Sequence, residues 1–253
     1  MYKINYRLGL VSVSFRDHTP EEILTAMKDV GLSCIEWGSD VHAPCHDRER
    51  ISAIAELQGR YGIACSSYGT YFRLGETPIA ELADYIAAAK MLGTDILRLW
   101  CGKKSGANMT AEERADLLDQ CRRAAEIAET YGVTLCMECH RHTFTEHPND
   151  AVWLMQSVDS PHFRMYWQPF QWLTAEESME IAKKIAPYAE HIHVFNWKDK
   201  KRLPLKDAAD EWREFLSAFP TPRTLLLEFM PDDRLETLAV EAAALKEIAG
   251  DRL

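Results

Sequence analysis

The chain has 253 residues, 47% of them hydrophobic and 27% charged, which is the make-up of a globular chain and excludes a disordered one. Burial scaling puts roughly three quarters of the unfolded surface inside at this length, enough for one large core. The formal charge of −10 and a pI near 5.4 argue against a nucleic-acid partner, which a basic face would grip. No apolar run reaches the roughly 18 residues of a membrane span. The first residues, MYKINYRLGLVSVSFRD, lack a long apolar stretch and a small-residue cleavage site, so no signal peptide is expected. The seven cysteines are odd in number, and reduced thiols in a cytoplasmic protein are the simplest reading.

The chain is punctuated by glycine. Gly31, Gly62 and Gly93 fall 31 residues apart and Gly132 follows after 39. Each closes an amphipathic stretch and opens a short apolar run: GLSCIEW, GIACSSY, GTDILRLW, GVTLCMEC. A glycine stopping a helix and an apolar run starting a buried strand make one βα unit. Helix starts agree: Thr19-Pro20-Glu21-Glu22, then capping boxes at Thr110–Glu113 and Thr174–Glu177, with a weaker signal at Thr77-Pro78.

In chain order, strands are expected near 7–13, 33–37, 63–68, 95–100, 133–138, 163–168, 190–195 and 224–229. The helices that follow them are expected near 20–30, 48–61, 78–92, 110–131, 148–157, 174–186, 206–217 and 232–249. Eight units in this length make an α/β fold, a single (βα)₈ TIM barrel over residues 1–253. An open dinucleotide-binding sheet would carry a glycine-rich turn after its first strand; SVSFRDHTPEE has no glycine.

Barrel enzymes place their chemistry where strands end. The later strands end on Glu138, Gln168, His193 and Glu228, one per unit. Alternation in VTLCME puts Val133, Leu135 and Met137 on the helix side and Glu138 inside. Two carboxylates and an imidazole forced together in a dry site repel or shift their pKa values unless a divalent cation joins them. Carboxylate, imidazole and amide oxygen suit Mn²⁺, Mg²⁺, Co²⁺ or Zn²⁺. Any one of the four alone reads as a polar core residue; four on successive strand ends read as a site.

Other residues carry two readings. Arg98 binds a substrate anion or is a buried ion-pair partner, and Glu36 joins catalysis or pairs with Arg98. His42, on the loop after the second strand, is a candidate substrate contact. Trp37, Trp100, Tyr68, Tyr71, Trp167 and Phe195 gather near strand ends, and Trp37 and Trp100 are the preferred sugar-stacking candidates. Cys136-Met137-Glu138-Cys139-His140 matches a haem-attachment spelling, but it ends a strand in a chain with no export signal, so haem is not expected.

The segments IEWGSDVH, SSYGTYFRLG, ILRLWCG, CMECHRHTFTEHP, YWQPF, HIHVFNW and LLLEF, in this order, resemble the sugar phosphate isomerase/epimerase family of xylose isomerase-like TIM barrels. The resemblance covers nearly the whole chain and rests on Glu138-x-His140 with Thr143 and Thr145, His191-x-His193, and Glu228. It implies one divalent metal held by Glu138, position 168, His193 and Glu228. Aspartate is the family residue at 168; glutamine here lowers the ligand charge and should weaken binding of a dication. It also implies proton removal next to a sugar carbonyl, with Glu138 and Glu228 as the acid/base pair and a cis-enediolate between. His140 would orient Glu138 or touch a substrate hydroxyl.

The expected protein is thus a cytoplasmic, metal-dependent isomerase or epimerase of a small sugar or sugar derivative. Barrels of this kind often associate, so a homo-oligomer is possible and the oligomeric state stays open, and the protein would need neither nucleic acid nor membrane. Two rivals stand beside it. One is a metal-dependent dehydratase of a keto-sugar, inosose or related acid; the other is a sugar-binding barrel that lost its metal with the aspartate. A phosphodiesterase would need a His-rich multi-metal cluster and a basic groove.

Overall fold

In the computed structural model, residues 6–220 and 223–250 are described. The first units run β1 (Arg7–Val11), α1 (Pro20–Asp29), β2 (Cys34–Gly38), α2 (Arg48–Tyr61), β3 (Ala64–Leu74), α3 (Leu82–Met91), β4 (Ile96–Cys101) and α4 (Ala111–Tyr131). They continue with β5 (Thr134–Glu138), α5 (Pro148–Val158), β6 (Phe163–Trp167), α6 (Ala175–Ile185) and β7 (Ala189–Val194). A short antiparallel hairpin, β8 (Trp197–Lys198) with β9 (Lys201–Arg202), interrupts the loop before α7 (Ala209–Ser217), β10 (Thr224–Leu227) and α8 (Leu238–Ala249). The barrel strands pair in parallel in the order β1-β10-β7-β6-β5-β4-β3-β2, and β2 closes on β1. This is the expected (βα)₈ barrel.

Local chemistry explains the boundaries. Thr19, Thr110 and Thr174 each accept from the N3 backbone amide while the N3 glutamate returns the bond, so all three capping boxes form. Gly62 and Gly132 end α2 and α4 at φ of 70° and 61°, where a side chain would clash with its own backbone. Thr77 differs from expectation. Its hydroxyl accepts from the Arg73 amide instead of capping a helix, and α3 begins only at Leu82, after a 3₁₀ turn. Strand β3 runs six residues beyond the expected 68, because Arg73 and Leu74 pair again with Trp100 and Cys101 after a register shift.

Alternation along the strands divides the interior in two. Leu135, Met137, Leu225 and Leu227 join the large cluster between barrel and helices. Cys136 and Leu226, on the opposite faces, join Val11, Val13, Cys34 and Tyr166 in a small cluster filling the barrel. Above that plug, at the C-terminal ends of the strands, the packing turns polar.

Candidate active site

The polar layer is built from inward residues one step further along each strand. Glu36 ends the inward face of β2, Arg98 stands on β4, Glu138 is the last residue of β5, and His193 stands on β7. Gln168 and Glu228 follow directly on β6 and β10. All six are buried. Phe229, next to Glu228, takes a left-handed φ of 61° and donates its amide to Ser14 Oγ at 2.9 Å. That turn ends β10 and fixes the direction in which Glu228 leaves it.

His193 is the hub. Its Nδ1 lies 3.0 Å from Gln168 Oε1, 3.4 Å from Glu228 Oε2 and 3.7 Å from Glu138 Oε1. The Gln168 amide is not free to turn: its Nε2 donates to the Cys139 carbonyl at 3.1 Å, which points Oε1 at the imidazole. Glu138 is held on its other oxygen by Arg98 Nη1 at 3.0 Å and Trp100 Nε1 at 2.5 Å. Thr145 clips the Glu138 carbonyl at 2.6 Å, and Thr143 the His140 carbonyl at 2.6 Å. The two threonines of the sequence motif therefore shape the turn after β5.

Charge follows from these contacts. Burial opposes ionisation of Glu138, but Arg98 and His193 override it and hold the carboxyl well below the usual range. Burial likewise opposes ionisation of Glu36, yet His193, Arg98 and Ser67 bring it down to about 2. Burial would lower His193, but Glu228, Glu36 and Glu138 raise it well above an ordinary imidazole. The cluster is thus a set of carboxylates in search of positive charge.

The donors fit a divalent cation. Glu138, His193 and Glu228 each offer one ligand atom, all within 4.8 Å of one another. Donors sharing an ion at about 2.1 Å stand roughly 3–4 Å apart, the range seen around His193 Nδ1. Gln168 Oε1 is aimed at the same point. Two carboxylates, one imidazole and one amide oxygen match Mg²⁺, Mn²⁺, Co²⁺ or Zn²⁺.

Above the cluster opens a cavity of about 250 Å³, the scale of a single sugar ring and too small for a nucleotide. Arg98, Trp100, Glu138, His140, Gln168 and Glu228 line it, with Tyr71, Phe170, Trp172, Phe195, Trp197 and Phe229 as an aromatic wall. His140 packs against Trp100, the rings tilted by 39° with centroids 5.0 Å apart. Its Nδ1 meets the Arg141 carbonyl at 2.7 Å, and its other ring nitrogen makes no hydrogen bond among the described residues.

The sequence-based expectations divide accordingly. Glu138, Gln168, His193, Glu228, His140, Arg98 and Trp100 come together. Arg98 does so as an ion-pair partner, bonded to Glu138 and 3.4 Å from Glu36. Trp37 and His42 are corrections. Trp37 is fully buried on the helix side of β2, where Nε1 donates to Gln58 at 2.8 Å. His42 ties two loops together, with Nε2 at the His18 carbonyl (3.0 Å) and Nδ1 at Ser12 Oγ (3.2 Å). Neither lines the cavity. Trp167 and Tyr68 also belong to the packing: Trp167 sits among Trp212, Phe215 and Phe219, and Tyr68 Oη donates to the Ala43 carbonyl. Arg16, Arg141, Trp172, Trp197 and Phe229 reach the cavity from loops whose course the residue pattern does not specify.

A family model described as xylose isomerase-like TIM barrel matches residues 24–248. The chain belongs to this family. Among solved structures, a probable 3-DHS dehydratase, AsbF, of Bacillus anthracis is similar with a TM-score of 0.79 at 16% identity, covering 94% of this chain and 98% of that one. A xylose isomerase-like barrel of Mycobacterium smegmatis, solved in complex with magnesium, has a TM-score of 0.71 at 16% identity over the full length of both chains. D-psicose 3-epimerase of Clostridium cellulolyticum H10, solved with D-tagatose, has a TM-score of 0.69 at 12% identity, covering 96% and 98%. At these identities the likeness establishes the fold. Among the described residues no helix is long and apolar enough to cross a membrane.

Proposed function

We propose that the protein is a divalent-metal-dependent enzyme that removes the proton next to the carbonyl of a small sugar or sugar derivative and returns it, an isomerase or epimerase. The observation that carries this reading is the convergence of two buried carboxylates, Glu138 and Glu228, on His193 Nδ1 below a sugar-sized cavity. A cation held by Glu138, Gln168, His193 and Glu228 would supply Lewis-acid polarisation of the carbonyl. The chain supplies the rest. Glu138 is fixed and kept ionised by Arg98 and Trp100; Glu228, which has no such donors among the described residues, is the freer base. Trp100 and the aromatic wall offer faces to sugar C–H groups and exclude water. The acidic surface goes with a small-molecule substrate and no nucleic acid. Seven unbridged, buried cysteines go with a reducing, cytoplasmic setting.

A second reading rests on the inequality of the two carboxylates. With Glu138 tied down, Glu228 would serve as base and His140, whose Nδ1–H points at the Arg141 carbonyl, as acid through its free nitrogen when the ring carries both protons, a pair that suits β-elimination of water. The similarity to a probable 3-DHS dehydratase favours the same chemistry. One experiment separates the two. Metal-loaded protein is incubated in D₂O with a panel of ketoses and polyhydroxylated keto acids. One deuterium taken up at the carbon next to the carbonyl marks isomerisation or epimerisation. Loss of 18 mass units with a new conjugated ultraviolet band marks dehydration. Neither change with any member of the panel sinks both readings.

A further inference from the structure

Glu36 is the buried charge that the proposed chemistry does not use. It never reaches the cavity, being fully enclosed behind His193. Ser67 Oγ donates to its Oε2 at 2.8 Å, and Arg98 Nε stands 3.4 Å from its Oε1. The same Oε1 faces His193 Nε2 at 3.6 Å, and that nitrogen has no hydrogen-bond partner among the described residues. The fold keeps this corner clear. A Cβ on Gly69 would fall 2.6 Å from Glu36 Oε1 and 3.1 Å from Arg98 Nη2, so a side chain at 69 and the ion cluster exclude each other. Tyr166 meets the imidazole edge-on at 5.0 Å and 82°, fixing the plane in which its two nitrogens point.

The imidazole therefore spans two acidic surroundings, Glu36 at Nε2 and the set of donors at Nδ1. A neutral imidazole that offers the Nδ1 lone pair must carry its proton on Nε2, and a carboxylate facing Nε2 favours that arrangement. Charge points the same way. The buried carboxylates Glu36, Glu138 and Glu228 bring three negative charges; Arg98 and a dication bring three positive ones. The balance closes with a neutral residue at 168, and an aspartate there would leave one negative charge over.

We propose that Glu36 is a positioning residue for the metal centre, orienting His193 from behind and supplying the negative charge that lets the neutral Gln168 serve as a ligand. This rests on the metal-binding reading above and goes beyond it. The test is calorimetric titration of metal-stripped full-length protein with Mn²⁺ and with Zn²⁺ alone, without substrate. Glu36→Gln keeps the shape and removes the charge, and its affinity is expected to fall about 10- to 100-fold. Adding Gln168→Asp, which returns the charge on the other side of the imidazole and is too short to press a carboxylate oxygen on the Cys139 carbonyl, is expected to recover several-fold of the lost affinity.

Affinity within twofold of wild type in Glu36→Gln, or a loss that the double variant leaves wholly in place, overturns the proposal; the second result would show that the charge at position 36 does not compensate the neutral residue at 168. Should Glu36→Gln not fold, Ser67→Ala retains the carboxylate and removes one donor that holds it. A loss of several-fold there supports the role, and unchanged affinity refutes it. Wild-type protein that binds neither metal sinks the metal reading itself, whereas wild-type binding with an indifferent Glu36→Gln sinks this inference alone.

Discussion

Glu138 and Glu228 look equivalent as letters, each glutamate closing a strand, but their surroundings separate them. Glu138 is bonded to Arg98 and Trp100 through one oxygen, while the close side-chain contact of Glu228 among the described residues is with His193. Both Glu138→Gln and Glu228→Gln are expected to lower kcat by about 10²- to 10⁴-fold with the fold retained, read by steady-state rates and far-ultraviolet dichroism. Near-wild-type turnover in either removes that residue from the proposed acid/base pair. His42 offers a test of a different kind. Burial, the largest influence, lowers its pKa below the ordinary 6.5, and its bonds to Ser12 and the His18 carbonyl suit the neutral ring. As pH falls, the unfolded chain takes up this proton first. The stabilisation from His42 is therefore complete above about pH 6.5 and lost as pH drops through the depressed folded value. The stability gap between wild type and His42→Gln, measured by urea unfolding, should shrink from pH 7.5 to pH 5. A gap that stays constant would show that the ring's proton plays no part.

At the scale of elements, side-chain chemistry that acts within four residues was readable from letters, and chemistry that acts across the barrel was not. The capping boxes at Thr19, Thr110 and Thr174 form as spelled, because cap and glutamate lie in one turn. Thr174→Ala should destabilise by about 1 kcal/mol and lower Tm by roughly 2–4 °C in calorimetry; no shift would mean that α6 is held by packing alone. Thr77 carries the same letter with another role, since its partner, the Arg73 amide, belongs to a strand extension set by register with β4. Alternation placed Glu138 inward, with Leu135 and Met137 on the helix side. Applied to CIEWG, the same rule puts Cys34 and Glu36 inside and Trp37 outside, where Trp37 packs and donates to Gln58. No local rule reveals that Gln168 is aimed by the Cys139 carbonyl, 29 residues away.

For the whole molecule, the decisive property is that charged side chains from β2, β4, β5, β7 and the end of β10, with the neutral Gln168 after β6, meet at one level of the barrel. Eight βα units were countable because glycine stops and apolar runs recur, and closure of the sheet then forces the strand ends to converge. The pairing of Glu36 with His193 was hidden, because it depends on strands 157 residues apart being brought opposite across the interior. The metal proposed for this centre would link binding to global stability. Separated strands offer an unfolded chain no assembled site, so the proposed cation would bind the folded form preferentially. At free metal about 100 times Kd, the gain is about 2.7 kcal/mol, which for a chain of this size raises Tm by roughly 5–10 °C. Differential scanning calorimetry of stripped protein with and without Mn²⁺ should show that rise. A chelator should reverse it, and Glu228→Gln should diminish it. A rise of equal size in Glu228→Gln would mean that the stabilising ion sits elsewhere on the acidic surface and not at the strand ends.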